Sequence, residues 1–117
     1  MDQKPFIIYK SSAGSGKTYT LTLEYLKLAL QSPHAFKQIL AVTFTNKATQ
    51  EMKERILEEL NRLRSKVDPQ EKMDAELMKA LDVDESGLKV LAQQTLTAIL
   101  HDYGRFSVST IDSFFRK

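Results

Sequence analysis

Ser11-Ser12-Ala13-Gly14-Ser15-Gly16-Lys17-Thr18 follows the apolar run Phe6-Ile7-Ile8-Tyr9 and leads into a leucine-rich pattern of helical period. A strand, a short glycine-bearing loop and a helix opening on Gly-Lys-Thr predict a phosphate-binding loop in an α/β fold. The first N–H groups of a helix lack intrahelical partners and carry about half a positive charge. A tight loop feeding that helix start aims several such groups at one anion. Gly14 and Gly16 permit a close approach that a Cβ obstructs. Lys17 can extend to the terminal phosphates of a nucleotide, and the Thr18 hydroxyl suits a phosphate-bound Mg²⁺. Position 11 departs from the full pattern, which has Gly where this chain has Ser. The competing explanation is a Ser/Gly-rich turn that happens to precede Lys-Thr. Only four glycines occur in the chain, and two of them stand at 14 and 16. A flexible linker is not expected between an apolar strand and an apolar helix.

Working outward, the first strand is expected at 6–10 and the first helix at 17–31, with Leu21, Tyr25, Leu28 and Ala29 inward and Ser32-Pro33 as its stop. Ile39, Leu40, Ala41 and Val42 form a continuous apolar run, which predicts a second strand at 38–43 buried on both faces in a parallel sheet. A long helix is expected at 46–65, its apolar stripe made of Ala48, Met52, Ile56, Leu60 and Leu63. A mainly helical section at 66–104 comes next. It comprises a short helix at 71–81, a turn at Asp84-Glu85-Ser86-Gly87, and a helix at 88–103 with Leu91, Thr95, Leu96 and Ile99 inward and Gly104 as its stop. A third strand is expected at 106–110, and 111–117 reads as the start of another element. The fold class is therefore α/β, a short parallel sheet flanked by helices, in one domain spanning 1–117.

Composition narrows the function classes. With 42% apolar residues the chain resembles an ordinary globular one, and no run approaches the length of a membrane span. The absence of cysteine excludes disulfides and thiolate metal sites, and His34 and His101 form no ligand cluster. The expected setting is cytoplasmic and away from membranes. A net charge of +2 does not by itself indicate nucleic acid, so any basic surface must be local.

Val42-Thr43-Phe44-Thr45-Asn46-Lys47-Ala48 joins the second strand to the long helix. Ligands of open α/β sheets bind outside the carboxyl ends of the strands, so this junction should share an edge with the phosphate loop. It offers two hydroxyls, an amide, a cation and an aromatic ring, the groups that hold a nucleic-acid strand by its phosphates and bases. Thr45 or Asn46 serves equally well as the helix N-cap, and the two roles are compatible. Ser109-Thr110-Ile111-Asp112-Ser113-Phe114-Phe115 puts further polar and aromatic groups at the third strand's carboxyl end, where Thr110 or Asp112 can cap a following helix or face a ligand.

Three of these stretches resemble the motifs of superfamily 1 DNA helicases of the UvrD/Rep type. Ser12–Thr18 looks like their first motif. Ala41–Ala48, with Glu51-Met52-Lys53 and Arg55-Ile56 after it, closely resembles motif Ia, and Ser109–Phe114 is similar to the next DNA-contacting motif. The resemblance implies a partial P-loop NTPase domain of RecA-like fold, the N-terminal part of the first motor domain of an ATP-dependent translocase on single-stranded DNA. It implies ATP and Mg²⁺ as cofactors, with DNA repair and recombination as setting. Carried over by position, Ser12, Ala13, Gly14, Ser15, Gly16, Lys17 and Thr18 would hold the nucleotide. Lys17 and Thr18 would serve catalysis, with Thr18 on the nucleotide's Mg²⁺. Phe44, Thr45 and Asn46 would contact DNA, with Thr110 and Ser113 as further contacts.

Two departures stand out. Gln3 stands too near Lys17 to be the adenine-reading glutamine of the UvrD branch, and Asp112, an anion that suits phosphate contact poorly, stands where the family often has His. The missing glutamine motif and the wording Ile111-Asp112-Ser113-Phe114-Phe115 lean toward the RecB/AddA branch, the helicase part of exonuclease V-type helicase–nucleases. The expected partners are single-stranded DNA, the remaining helicase domains of the parent and a second helicase–nuclease subunit. No Asp-Glu pair follows an apolar strand here, so the chain alone is expected to hydrolyse ATP negligibly. Two other classes stay open on the residues themselves: a small P-loop kinase or other nucleotide-dependent transferase, and a non-catalytic nucleotide- or DNA-binding module.

Overall fold

Three short strands, Phe6–Ile8 (β1), Leu40–Thr43 (β2) and Val108–Thr110 (β3), form a parallel sheet in the order β1-β2-β3. The computed structural model describes residues 6–8, 15–43 and 45–110, with side chains described from residue 19 onward. Ile7 lies opposite Ala41, Ala41 opposite Val108, and Thr43 opposite Thr110. Parallel strands need long crossovers, and helices supply them here. One helix, Ser15–Ala29 (α1), connects β1 to β2. Three helices, Asn46–Ser65 (α2), Lys72–Leu81 (α3) and Glu85–His101 (α4), connect β2 to β3.

The sheet is short because β2 is cut back at its start. Ala35–Gln38 forms a turn of 3-10 helix around the buried Phe36, so the strand begins at Leu40 rather than at 38. A second such turn, Tyr103–Arg105, delays β3 to Val108 and leaves Phe106 in the core. The two turns are tied together, the Lys37 ammonium lying 3.4 Å from the Asp102 carboxylate. Phe106 joins core to surface, its ring edge-to-face with Tyr25 at 5.9 Å and with Tyr103 at 5.7 Å.

α2 occupies the range its apolar period predicts. Met52, Ile56, Leu60 and Leu63 are buried, each burial stabilising by about 1.5–3 kcal/mol, while Ala48 is only half-buried. The helix packs on β2, β3, α1 and most extensively on α4, which contributes Leu88, Ala92, Thr95, Leu96 and Ile99. In α1, Leu21, Tyr25 and Ala29 are buried as expected, with Leu28 at the margin.

Two expectations need correction. Asp84-Glu85-Ser86-Gly87 is not a free-standing turn. Asp84 is the N-cap of α4, its carboxylate accepting from the Gly87 N–H at 2.8 Å, and Glu85–Gly87 is the helix's first turn. A glycine is needed at 87 because a Cβ there would stand 2.9 Å from Val83 Cβ. Gly104 does not stop α4 in a left-handed conformation. The helix ends at His101, Asp102 is its C-cap, and Gly104 sits in the following 3-10 turn. The left-handed residue among those described is Asp82 (φ 56°), the C-cap of α3.

Candidate functional site

α1 begins at Ser15, so the main-chain N–H groups of Ser15, Gly16, Lys17 and Thr18 are the first four of a fifteen-residue helix. Those four have no partner further back in the helix and face whatever the preceding loop brings to them. The helix start follows β1, and because all three strands run parallel, the chain leaves β1, β2 and β3 at one sheet edge. The described residues at the carboxyl ends of β1, β2 and β3 therefore lie at the same edge. Ser12, Ala13, Gly14, Phe44 and Ser113 lie outside the described residues, as do the side chains of Ser15, Gly16, Lys17 and Thr18.

The β2–α2 corner is described in atomic detail. Thr45 has extended backbone, and its hydroxyl accepts from the Ala48 N–H at 3.0 Å. Thr45, not Asn46, is thus the N-cap, and it remains exposed. Asn46 is the first helical residue and is also exposed, as is Lys47. With capping assigned to Thr45, the Asn46 amide is not engaged as the cap. The corner offers the outside two exposed polar side chains and a cation at the start of a twenty-residue helix.

Thr43, counted from the sequence among the outward hydroxyls, points inward and is 2% exposed. Its hydroxyl lies 2.6 Å from that of Thr49 and 3.2 Å from the Thr45 carbonyl. Across the sheet, Thr110 is buried at the end of β3, directly opposite Thr43.

Sequence reasoning missed two polar groups, one at this corner and one on α3, bound from further along α2. Thr49 is the first; a hydroxyl one turn into α2, six residues after the one on β2, was its only signal. The second is Asp74, wholly buried and bound by Arg62, which fixes α3 against α2. An acid in the first turn of a helix reads as an ordinary dipole partner, and its burial had no separate signature. Nearby, burial and the carboxylates of Glu76, Glu71, Glu59 and Asp74 raise the Tyr19 hydroxyl above its ordinary value. The Tyr25 hydroxyl is raised by burial alone. Among the described residues no group of three or more His, Cys, Asp or Glu side chains could hold a metal ion, and no helix is long and apolar enough to cross a membrane.

A family model described as the UvrD/REP helicase N-terminal domain matches residues 2–114. Among curated proteins, the chain is 35% identical over 106 residues to the RecBCD enzyme subunit RecB of Chlamydia muridarum, covering 88% of this chain and 9% of that protein. It is 40% identical over 76 residues to RecB of Haemophilus influenzae, covering 56% of this chain and 6% of that protein. To the ATP-dependent DNA helicase Rep of Escherichia coli it is 46% identical over 52 residues, covering 44% of this chain and 8% of that protein. The matched segments thus span less than a tenth of each relative's length. No solved structure matches.

Proposed function

The chain belongs to the UvrD/Rep helicase family, matching its N-terminal domain, and on that premise we propose that it is the ATP-binding opening of a DNA helicase's first motor domain. In this reading, residues 1–117 are the first part of a RecA-like P-loop domain, with 66–104 as a helical section. The parent couples ATP hydrolysis to movement along single-stranded DNA. One observation carries the reading: the start of α1 and the Thr45-Asn46 corner open at the same edge of a parallel sheet. Nucleotide and DNA would then lie side by side, as a motor that couples them requires.

The residues present fit a nucleotide. The N–H groups at the start of α1 would form part of a cradle for an anion, and Lys17 and Thr18 fall within the helix's first turn. Ser12, Ala13, Gly14, Ser15, Gly16, Lys17 and Thr18 would hold the phosphates, with Thr18 on the accompanying Mg²⁺. Bound ATP supplies the free energy that drives movement. Lys17 would orient the phosphates and offset part of their charge, the kind of positioning and charge stabilisation on which phosphoryl transfer depends. Phe44, Thr45 and Asn46 would contact the DNA strand, with Ser113 as a further contact, while Thr110 is buried. The carboxylates that complete hydrolysis would come from the rest of the parent.

Two of the RecB matches support the helicase–nuclease branch by their extent. The Chlamydia muridarum RecB match runs through the helical section to cover 88% of the chain, while the Rep match covers half as much. A second helicase–nuclease subunit is accordingly a proposed partner, and the cytoplasm the proposed compartment.

Lys17→Ala in the intact protein tests the nucleotide site. The variant should keep its circular-dichroism spectrum and lose ATP hydrolysis. Normal turnover in a folded Lys17→Ala protein would contradict the assignment.

A further inference from the structure

The Thr43 hydroxyl lies within hydrogen-bond distance of three oxygens. These are Thr49 Oγ1 at 2.6 Å, the Thr45 carbonyl at 3.2 Å and the Ser109 carbonyl at 3.4 Å. Thr49 Oγ1 lies in turn 3.1 Å from the Thr45 carbonyl, which also accepts the Thr49 N–H at 3.0 Å. Each hydroxyl has one proton to donate. If Thr43 donates to Thr49, then Thr49 donates to the Thr45 carbonyl. If Thr49 donates to Thr43, the Thr43 proton goes to the Thr45 carbonyl or across the sheet to Ser109. In each arrangement Thr43 is tied to Thr49 in the first turn of α2. Its own or the Thr49 proton goes on to the Thr45 carbonyl or, in one of them, the Thr43 proton goes across the sheet to the end of β3.

Packing alone does not call for this hydroxyl. Thr43 is 2% exposed at the end of an otherwise apolar strand, where valine has the same shape without a polar group to bury. A buried hydroxyl is unfavourable unless its hydrogen bonds are made, so its contribution lies in what those bonds hold. They link Thr49 to the carbonyl of Thr45, the exposed cap residue next to Asn46, or to the carbonyl of Ser109, next to Thr110.

We infer that Thr43, acting with Thr49, is a positioning residue that sets the Thr45-Asn46 corner against the end of β3, so that the exposed Thr45 and Asn46 side chains are held in place for a DNA strand. The inference rests on the DNA-binding reading of this edge. It assigns Thr43 no contact with DNA, only the placement of residues that make one.

The test uses the intact protein, a fluorescent oligo-dT strand read by anisotropy at fixed salt, and a fluorescent ATP analogue. Thr43→Val should weaken oligo-dT binding by about tenfold, the effect of about one hydrogen bond, while leaving analogue affinity unchanged. Thr43→Ser, which keeps the hydroxyl, should restore binding. Thr49→Val should weaken oligo-dT binding in the same direction. Because Thr49 is half-exposed on α2, that variant decides the question if Thr43→Val does not fold. Unchanged oligo-dT affinity in a folded Thr43→Val protein, or an equal loss in Thr43→Ser, would overturn the positioning role alone. A wild-type protein that fails to bind oligo-dT would overturn both the role and the function it rests on.

Discussion

Arg62 on α2 grips Asp74 on α3 with both arms of its guanidinium, Nη1 3.0 Å from Oδ2 and Nη2 2.7 Å from Oδ1. Asp74 is wholly buried and also accepts the Asp68 N–H at 2.8 Å, whereas the Arg62 side chain is 37% exposed and shares Glu59. The bond to Asp74 is the largest of the effects that raise Arg62 above its ordinary value, with burial opposing it. The pair is therefore lopsided, and the buried partner decides what its loss costs. Arg62→Ala strands a buried carboxylate and should destabilise the chain by about 3 kcal/mol. Asp74→Ala leaves a cation that still has water and Glu59, and should cost less, about 1–2 kcal/mol. Urea melts of the two variants check the order; equal losses would show that burial does not govern the pair.

The two described glycines with side-chain surroundings should respond oppositely to alanine. At Gly87 a Cβ would meet Val83 Cβ at 2.9 Å. Helix propensity favours alanine by up to about 1 kcal/mol, but overpacking costs about 1–3 kcal/mol, so Gly87→Ala should destabilise. At Gly104 a Cβ meets nothing within 4 Å and the backbone angle is ordinary. Gly104→Ala should be neutral or stabilise by up to about 1 kcal/mol, through the unfolded state. Thermal midpoints of the two variants on either side of wild type would bear this out.

Alkaline pH should destabilise the fold through Tyr25 and Tyr19. Both hydroxyls are held above the ordinary value of 10.0, Tyr25 by burial and Tyr19 by burial and neighbouring carboxylates. Below that value both states keep the proton and the contribution is intact. Above it the unfolded chain loses protons that the folded chain keeps, so stability falls as pH rises, by at most about 1.4 kcal/mol per pH unit for each group. The Tyr25 hydroxyl has no hydrogen-bond partner among the described residues. Tyr25→Phe should therefore cost little at pH 8 and flatten the decline above pH 10. A decline equally steep in that variant would assign it to other groups.

Thr45→Ala and Asn46→Ala separate capping from ligand contact. Thr45→Ala removes the bond to the Ala48 N–H and should lower stability by about 1 kcal/mol. Asn46→Ala leaves that cap in place and should lower single-stranded DNA affinity more than stability. An unchanged binding isotherm for Asn46→Ala would reduce the corner to a helix start.

The sequence made the sheet and α2 readable because their signals are continuous. The apolar run from Ile39 to Val42 reads as a buried strand, and the strand begins at Leu40 with Ala41, Val42 and Thr43 buried, while the spacing of Met52, Ile56, Leu60 and Leu63 fits one helical face. Boundaries were less readable where local hydrogen bonds compete with the main pattern. The 3-10 turns at Ala35–Gln38 and Tyr103–Arg105 shorten both neighbouring strands, and Asp84 starts a helix from what reads as a turn. At the candidate site, the shared strand edge followed from parallel topology, and the exposure of Thr45 and Asn46 agrees with it. The inward turn of Thr43 did not follow, because it depends on Thr49 and on the Ser109 carbonyl, 66 residues away in the chain.

The most direct test of the central proposal is the rate of ATP hydrolysis by the intact protein with and without a single-stranded oligonucleotide. Coupling across the shared sheet edge predicts strong stimulation by the strand, lost in Lys17→Ala and reduced in Asn46→Ala. Steady hydrolysis that single-stranded DNA does not change would contradict it.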